Sequence, residues 1–197
     1  MKLILASSSP RRAEILRQAG IAFEIITAPV NESRGPDEPP TAYVRRLAEA
    51  KARAVVEGGA AGQAPAWVVG ADTVVLIDGL VLGKPASAAE ARRMLESLSG
   101  RTHEVLTGVA VLRLPEGAAQ IEQEITRVTL APLSKEEIED YITTGEPFGK
   151  AGAYAIQGRA GRFVTRIEGC YFNIVGLPLG RLYRMLRELG WPGTAAL

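Results

Sequence analysis

The sequence predicts an α/β fold built on a mixed β-sheet flanked by helices, and three observations carry that expectation. Short apolar runs are interleaved with helix-periodic ones along the chain. Several of the strand runs are joined as adjacent pairs by turn residues, which a purely parallel sheet does not allow. No repeat, low-complexity tract or long linker divides the 197 residues, so residues 1–197 read as a single domain able to bury a real core.

Taken in order, Lys2 to Ala6 reads as a short strand. Ser7, Ser8 and Ser9 follow, with Ser9 placed as an N-cap and Pro10 at the first helical position, where its missing N–H costs nothing. That helix carries Ile15, Leu16 and Ala19 and stops at Gly20. Ala22 to Ala28 predicts a second strand, and Asn31 to Pro40 a polar, proline-rich loop. A helix capped by Thr41 then runs to about Glu57, followed by a loop from Gly58 to Pro65. Trp67 to Ile77 is a strongly apolar strand, turned by Asp78-Gly79 into Leu80 to Leu82. Ser87 with Glu90, and Ser134 with Glu137, predict capping boxes for helices ending near Leu98 and before Gly145. Between them, Glu104 to Leu112 and Ile121 to Leu130 pair about Pro115-Glu116-Gly117. Phe163 to Ile167 and Tyr171 to Val175 predict a hairpin about Glu168-Gly169, and a last helix runs from Pro178 to Leu189.

Composition narrows the chemistry. One Cys and one His exclude an internal disulfide framework and the usual Cys/His zinc sites. No apolar stretch approaches the roughly 20 residues of a membrane span, so no membrane partner and a cytoplasmic location are expected. The net charge of +1 argues against a nucleic-acid polymer as partner. Yet Pro147 to Arg166 holds four cations and no acid, whereas Glu116 to Glu146 holds eight acids and two bases. An anionic ligand fits the first stretch.

Several residues break their local rule. Arg11 and Arg12 lie in a helix first turn, where the macrodipole disfavours cations. They are either solvated arginines at an exposed helix start, or forks for a phosphate shared with the serine hydroxyls and free N–H groups. Lys51 falls within the apolar stripe of Val44, Leu47, Ala48 and Val55, so it either snorkels out beside the core or points its ammonium into a cleft. Asp72 interrupts the apolar run Val68 to Ile77, where an isolated carboxylate costs several kcal/mol. It must be paired, metal-bound or at a cleft edge, as a structural ion pair, as a carboxylate capping a neighbouring loop, or as the group that holds a metal and activates water. Lys84 follows in Gly83-Lys84-Pro85, and a glycine-punctuated loop from Glu146 to Gly158 carries Lys150 and Gln157. No serine-hydrolase signature surrounds His103, and Cys170 reads as core within a strand. Together Arg11, Arg12, Lys51, Lys84 and Lys150 suit phosphates, while Asp72 and Glu32 suit a hard cation or water.

The segments Leu5-Ala6-Ser7-Ser8-Ser9-Pro10-Arg11-Arg12, Gly70-Ala71-Asp72-Thr73-Val74-Val75, Gly83-Lys84-Pro85, Ser99-Gly100-Arg101-Thr102-His103 and Lys150 to Gly158 resemble the Maf family of nucleoside triphosphate pyrophosphatases. The likeness is collinear over nearly the whole chain. It implies an elongated mixed sheet with two lobes around a nucleotide cleft, a divalent cation (Mg²⁺ or Mn²⁺), a cytoplasmic location and a homodimer. The loop ending Tyr154-Ala155-Ile156-Gln157-Gly158 resembles the branch acting on dTTP and UTP rather than the one acting on 7-methyl-GTP. By resemblance Asp72 is the proton acceptor, Glu32, Lys51 and Lys84 are active-site residues, and Arg12, Thr73 and Gln157 bear on substrate choice. Ser7, Ser9, Arg11 and Lys150 are then expected on the phosphates, with Asp72 and Glu32 as metal ligands. The rival expectations are a 7-methyl-GTP pyrophosphatase of the same family and a non-catalytic, nucleotide-binding regulator of cell division.

Overall fold

The computed structural model of the protein describes residues 2–59 and 65–193. Most of the loop expected from Gly58 to Pro65 lies outside the described residues. The apolar run of the sequence becomes β3 (Ala66–Ile77), which pairs in parallel with β1 (Lys2–Leu5), Leu3 opposite Trp67 and Leu5 opposite Val69. Asp78 and Gly79 both adopt positive φ, and the chain returns antiparallel to β3 as β4 (Leu80–Leu82). With β2 (Glu24–Ile25), β5 (Thr102–Leu114), β6 (Ala118–Leu130) and β7 (Val164–Glu168), the strands form one seven-stranded mixed sheet. Its order is β2-β1-β3-β5-β6-β7, with β4 beside β3. The α/β class with a mixed sheet is as the sequence predicts.

The helices are α1 (Pro10–Gln18), α2 (Pro40–Glu57), α3 (Ala88–Leu98), α4 (Lys135–Thr143), α5 (Tyr171–Val175) and α6 (Leu179–Glu188). No helix among the described residues is long and apolar enough to cross a membrane. The chain divides into two compact units. The first comprises residues up to 72, 107–124 and from 176 on; the second comprises 73–106 and 125–175. In the first, α2 lays Ala48, Ala52 and Val55 on Ile4, Val68, Ala110 and Leu112. In the second, Met94, Leu95 and Leu98 of α3 share a core with Val75, Val105, Val128, Ile138 and Tyr141.

Four local expectations change in the folded chain. The second strand shrinks from Ala22–Ala28 to Glu24–Ile25, which lie opposite Ile4 and Leu5, and after them, among the described residues, only the Ile26 N–H still reaches β1, at the Leu5 carbonyl (3.3 Å). α2 starts two residues earlier than predicted, with Pro39 rather than Thr41 at the cap and no side-chain capping bond. A cap contributes about 1 kcal/mol, whereas each fully buried aliphatic side chain contributes about 1.5–3 kcal/mol, so burial of Val44, Leu47 and Val55 suffices. Ser134 and Glu137 form the expected capping box. At α3, however, Ser87 accepts from the Glu90 N–H while the Glu90 carboxylate accepts from the N–H of Ala86 instead of the cap residue.

The largest difference lies after β7. Tyr171–Val175 is a helix, not the second strand of a hairpin, and Cys170 precedes it outside any strand. The β-favouring side chains are overruled by Asn173, which is fully buried and donates to the Val105 carbonyl (2.9 Å) and the Thr126 hydroxyl (2.9 Å). Thr126 Oγ1 also exchanges hydrogen bonds with the N–H and C=O of Cys170. A strand would turn that amide away from these partners.

Candidate active site

The candidate site is assembled in the first unit by a close approach of backbones. A Cβ on Gly70 of β3 would lie 2.0 Å from the Ala48 carbonyl oxygen, and one on Gly108 of β5 would lie 2.1 Å from that of Val44. Two glycines therefore let α2 rest directly on the sheet. The contact brings Lys51, one turn beyond Ala48, to Asp72, two residues beyond Gly70. Lys51 Nζ donates to Asp72 Oδ1 at 2.7 Å, and both side chains are largely withdrawn from water (15% and 13% exposed). The same ammonium lies 2.7 Å from Glu32 Oε1, which is half exposed. Lys51 thus points into a polar site rather than snorkelling outward.

Glu32 comes from the proline-rich loop before α2, and α2 itself folds that loop. The Tyr43 hydroxyl donates to the Glu32 carbonyl (2.8 Å), and Arg46 donates to the Ser33 carbonyl and to both carboxylate oxygens of Glu38. Tyr43 holds its proton more tightly than usual, first because of burial and then because Asp72 and Glu32 are near. Among the described residues no group of three or more His, Cys, Asp or Glu side chains could hold a metal. Asp72 and Glu32 are instead two carboxylates gathered on one cation.

The serine-arginine motif lies in the same unit. Arg12 is buried and donates to the Gly176 carbonyl (2.7 Å) and the Ser7 hydroxyl (2.9 Å). Burial weighs against its charged form, and Asp72 and Glu32 partly offset that. Ser9 is the N-cap of α1, yet its hydroxyl makes no capping bond; its N–H donates to Ser7 Oγ at 3.3 Å. Arg11 is half-buried in the first turn of α1.

The second unit holds the other motif residues. Thr73 follows Asp72 in β3 and is half-buried, and Lys84 is exposed. The Gly152 N–H donates to the Gly83 carbonyl (3.0 Å), so the loops bearing Lys84 and Lys150 are joined by their backbones. Lys150 Nζ donates to the carbonyls of Glu146 (2.6 Å) and Phe148 (3.4 Å). Gln157 is exposed on a turn closed by the bond from the Gly158 N–H to the Ala155 carbonyl (3.0 Å). The stretch expected to be a glycine-rich loop contains a 3₁₀ turn at Ala151–Ala153 and is followed by another at Arg159–Phe163, and its buried Ala153 takes a positive φ of 60°. His103, buried, pairs Nε2 with the Tyr154 hydroxyl at 2.8 Å, and desolvation pushes its pKa down to about 4.

Sequence reasoning missed three residues: Tyr43 and Tyr141, which use hydroxyls to set loops, and Glu146, whose carboxylate accepts two backbone N–H groups. The available signal was an aromatic hydroxyl on each helix flanking a functional loop. Gly70 had a signal too, since a glycine inside a strand marks a close backbone approach.

This chain belongs to the Maf-like proteins: the family model described as Maf-like protein matches residues 2–189. Among its relatives, the dTTP/UTP pyrophosphatase of Koribacter versatilis is 54% identical, covering 96% of this chain and 95% of its own. The dTTP/UTP pyrophosphatase of Symbiobacterium thermophilum is 52% identical, covering 97% and 95%. A solved structure, the Ham1 protein of Staphylococcus aureus, covers 96% of this chain and 100% of its own at 12% identity and a TM-score of 0.48.

Proposed function

We propose that the protein hydrolyses dTTP and UTP between the α and β phosphates, giving the nucleoside monophosphate and pyrophosphate with the help of a divalent cation. The observation that carries this reading is the Asp72–Lys51–Glu32 cluster, a withdrawn strand carboxylate whose partner is a flexible lysine shared with a second acid. Relatives at 54% and 52% identity that bear the name dTTP/UTP pyrophosphatase support the substrate.

In this reading Asp72 accepts the proton of the attacking water. Lys51, held at 2.7 Å from both acids, keeps Asp72 oriented and offsets its charge. Arg11, Lys84 and Lys150 neutralise the triphosphate, and Ser7 and Ser9 supply hydroxyls beside an α1 N-terminus that lacks a side-chain cap. Arg12 fixes Ser7 through its 2.9 Å bond and adds a buried positive charge. Asp72 and Glu32 fit a Mg²⁺- or Mn²⁺-type ion, which binds one or two carboxylates and completes its shell with phosphate and water. When bound, such an ion stabilises charge on the leaving pyrophosphate. Gln157 offers one donor and one acceptor, matching O4 and N3–H of uracil or thymine, with Thr73 as a second determinant of substrate choice. The same resemblance carries a single domain, a cytoplasmic location and a homodimer into the proposal.

A panel of UTP, dTTP, CTP, ATP, GTP and 7-methyl-GTP with Mg²⁺ or Mn²⁺, assayed for pyrophosphate, tests it. Release of pyrophosphate from UTP and dTTP ahead of the rest is expected. Preference for 7-methyl-GTP moves the protein to the sister branch. Tight binding without turnover makes it a regulator, and release of orthophosphate alone overturns the bond assignment.

A further inference from the structure

We propose that Glu146 is a positioning residue for base selection: it holds the turn that presents Gln157. The inference rests on Gln157 reading the base. Glu146 Oε1 accepts the Tyr141 hydroxyl at 2.8 Å and the Ala160 N–H at 3.4 Å, and Oε2 accepts the Arg159 N–H at 3.1 Å. The Tyr141 oxygen in turn accepts the Ala155 N–H at 3.1 Å. One carboxylate therefore grips the chain on both sides of Gln157, through Tyr141 before it and directly after it. Tyr141 is 1% exposed and meets Phe163 edge-on with ring centroids 5.8 Å apart, so the arm of this clamp cannot swing.

Gly158 explains itself by the same contact. Its φ of −107° is open to any residue. A Cβ there, however, would lie 2.3–2.4 Å from the Glu146 carboxylate atoms. Glycine follows Gln157 because the carboxylate lies against its Cα. Lys150 also donates to the main-chain carbonyl of Glu146 at 2.6 Å, so a phosphate-class cation and the base reader share one anchor. Burial opposes ionisation of Glu146, but the Arg159 N–H, the Tyr141 hydroxyl, the Ala160 N–H and the nearby Lys150 hold its carboxyl below the usual range. It stays an acceptor under any working condition near neutrality.

The test measures kcat and KM for UTP and CTP, whose ring edges reverse donor and acceptor, in Glu146→Ala, Glu146→Gln, Gly158→Ala and Gln157→Ala. Glu146→Ala should lower the UTP-over-CTP ratio of kcat/KM about tenfold, mainly through KM for UTP, as loss of one well-placed polar contact does. Glu146→Gln, which keeps an acceptor oxygen, should restore part of the ratio, and Gly158→Ala should reproduce the loss. In Glu146→Ala/Gln157→Ala the ratio should fall no further than in Gln157→Ala alone. Equal loss for UTP and CTP, or an unchanged ratio, overturns the proposal. If Glu146→Ala does not fold, the ratio in Glu146→Gln and Gly158→Ala decides. A Gln157→Ala variant with unchanged ratio removes the base reading itself, and the proposal with it. A collapsed ratio in Gln157→Ala beside intact Glu146 variants removes the proposal alone.

Discussion

Asp72 and Glu146 are both partly buried carboxylates, each in its own unit, and they are satisfied in opposite ways. Asp72 faces the ammonium of Lys51, at the end of a four-carbon stem, and shares it with Glu32 at an equal 2.7 Å. Glu146 faces backbone N–H groups and a buried tyrosine hydroxyl. A lysine can exchange partners without moving the backbone, so Asp72 can trade its partner for substrate, water or an ion. Backbone donors cannot leave without unfolding their turn, so Glu146 is committed to shape. The partner, more than the carboxylate, separates a reactive acid from a structural one.

The sharpest way to break this contrast is Asp72→Asn. Turnover of UTP should fall about 100- to 10,000-fold, the usual worth of a positioned general base. Nucleotide binding by calorimetry and the thermal midpoint should change little, because Lys51 keeps Glu32. Unchanged turnover would sink the role given to Asp72. Gly70→Ala tests the backbone that brings the pair together. A methyl 2.0 Å from the Ala48 carbonyl must push α2 away, at a cost of about 3 kcal/mol, with the Lys51–Asp72 bond lost and activity falling alongside the urea midpoint.

In the second region, pH should act on stability through His103. Its folded pKa lies near 4 against an ordinary 6.5, so the unfolded chain takes up the proton first as pH falls. Stability is therefore full above about pH 6.5 and declines towards pH 4, by on the order of 3 kcal/mol. Urea midpoints across that window check it, and His103→Phe should flatten the profile. The smallest effect expected is from Tyr141→Phe. It leaves the Ala155 N–H and Glu146 Oε1 each short of a bond, costing about 1–2 kcal/mol, with selectivity for UTP over CTP reduced in step.

Much of this was legible in the chain itself. β3 and its turn through Asp78-Gly79 follow from an apolar run ended by residues that accept positive φ. The stripe on α2 is buried as its spacing requires, and the lysine interrupting it does meet the aspartate interrupting β3. Two violations of the same local rule proved to be each other's remedy. Charge segregation along the chain was less informative, because folding undoes part of it. Arg181 pairs with Glu122 and Glu124, and Arg166 lies 2.8 Å from Glu168.

What the sequence determined by itself is therefore the class of fold, the motif residues and the anomaly of a carboxylate in an apolar strand. These depend on periodicity and on residue types within a few positions, where local sterics and desolvation dominate. Only the tertiary structure decided the helix at Tyr171–Val175, the bond of Arg12 to the Gly176 carbonyl and the hold of Glu146 on the Gln157 turn. Each of these rests on a buried or partly buried polar group that must find its partner. In the Asn173 and Arg12 cases the partners lie 68 and 164 residues away. No local pattern encodes such a pairing, because the cost of leaving the group unpaired appears only once the chain has closed around it.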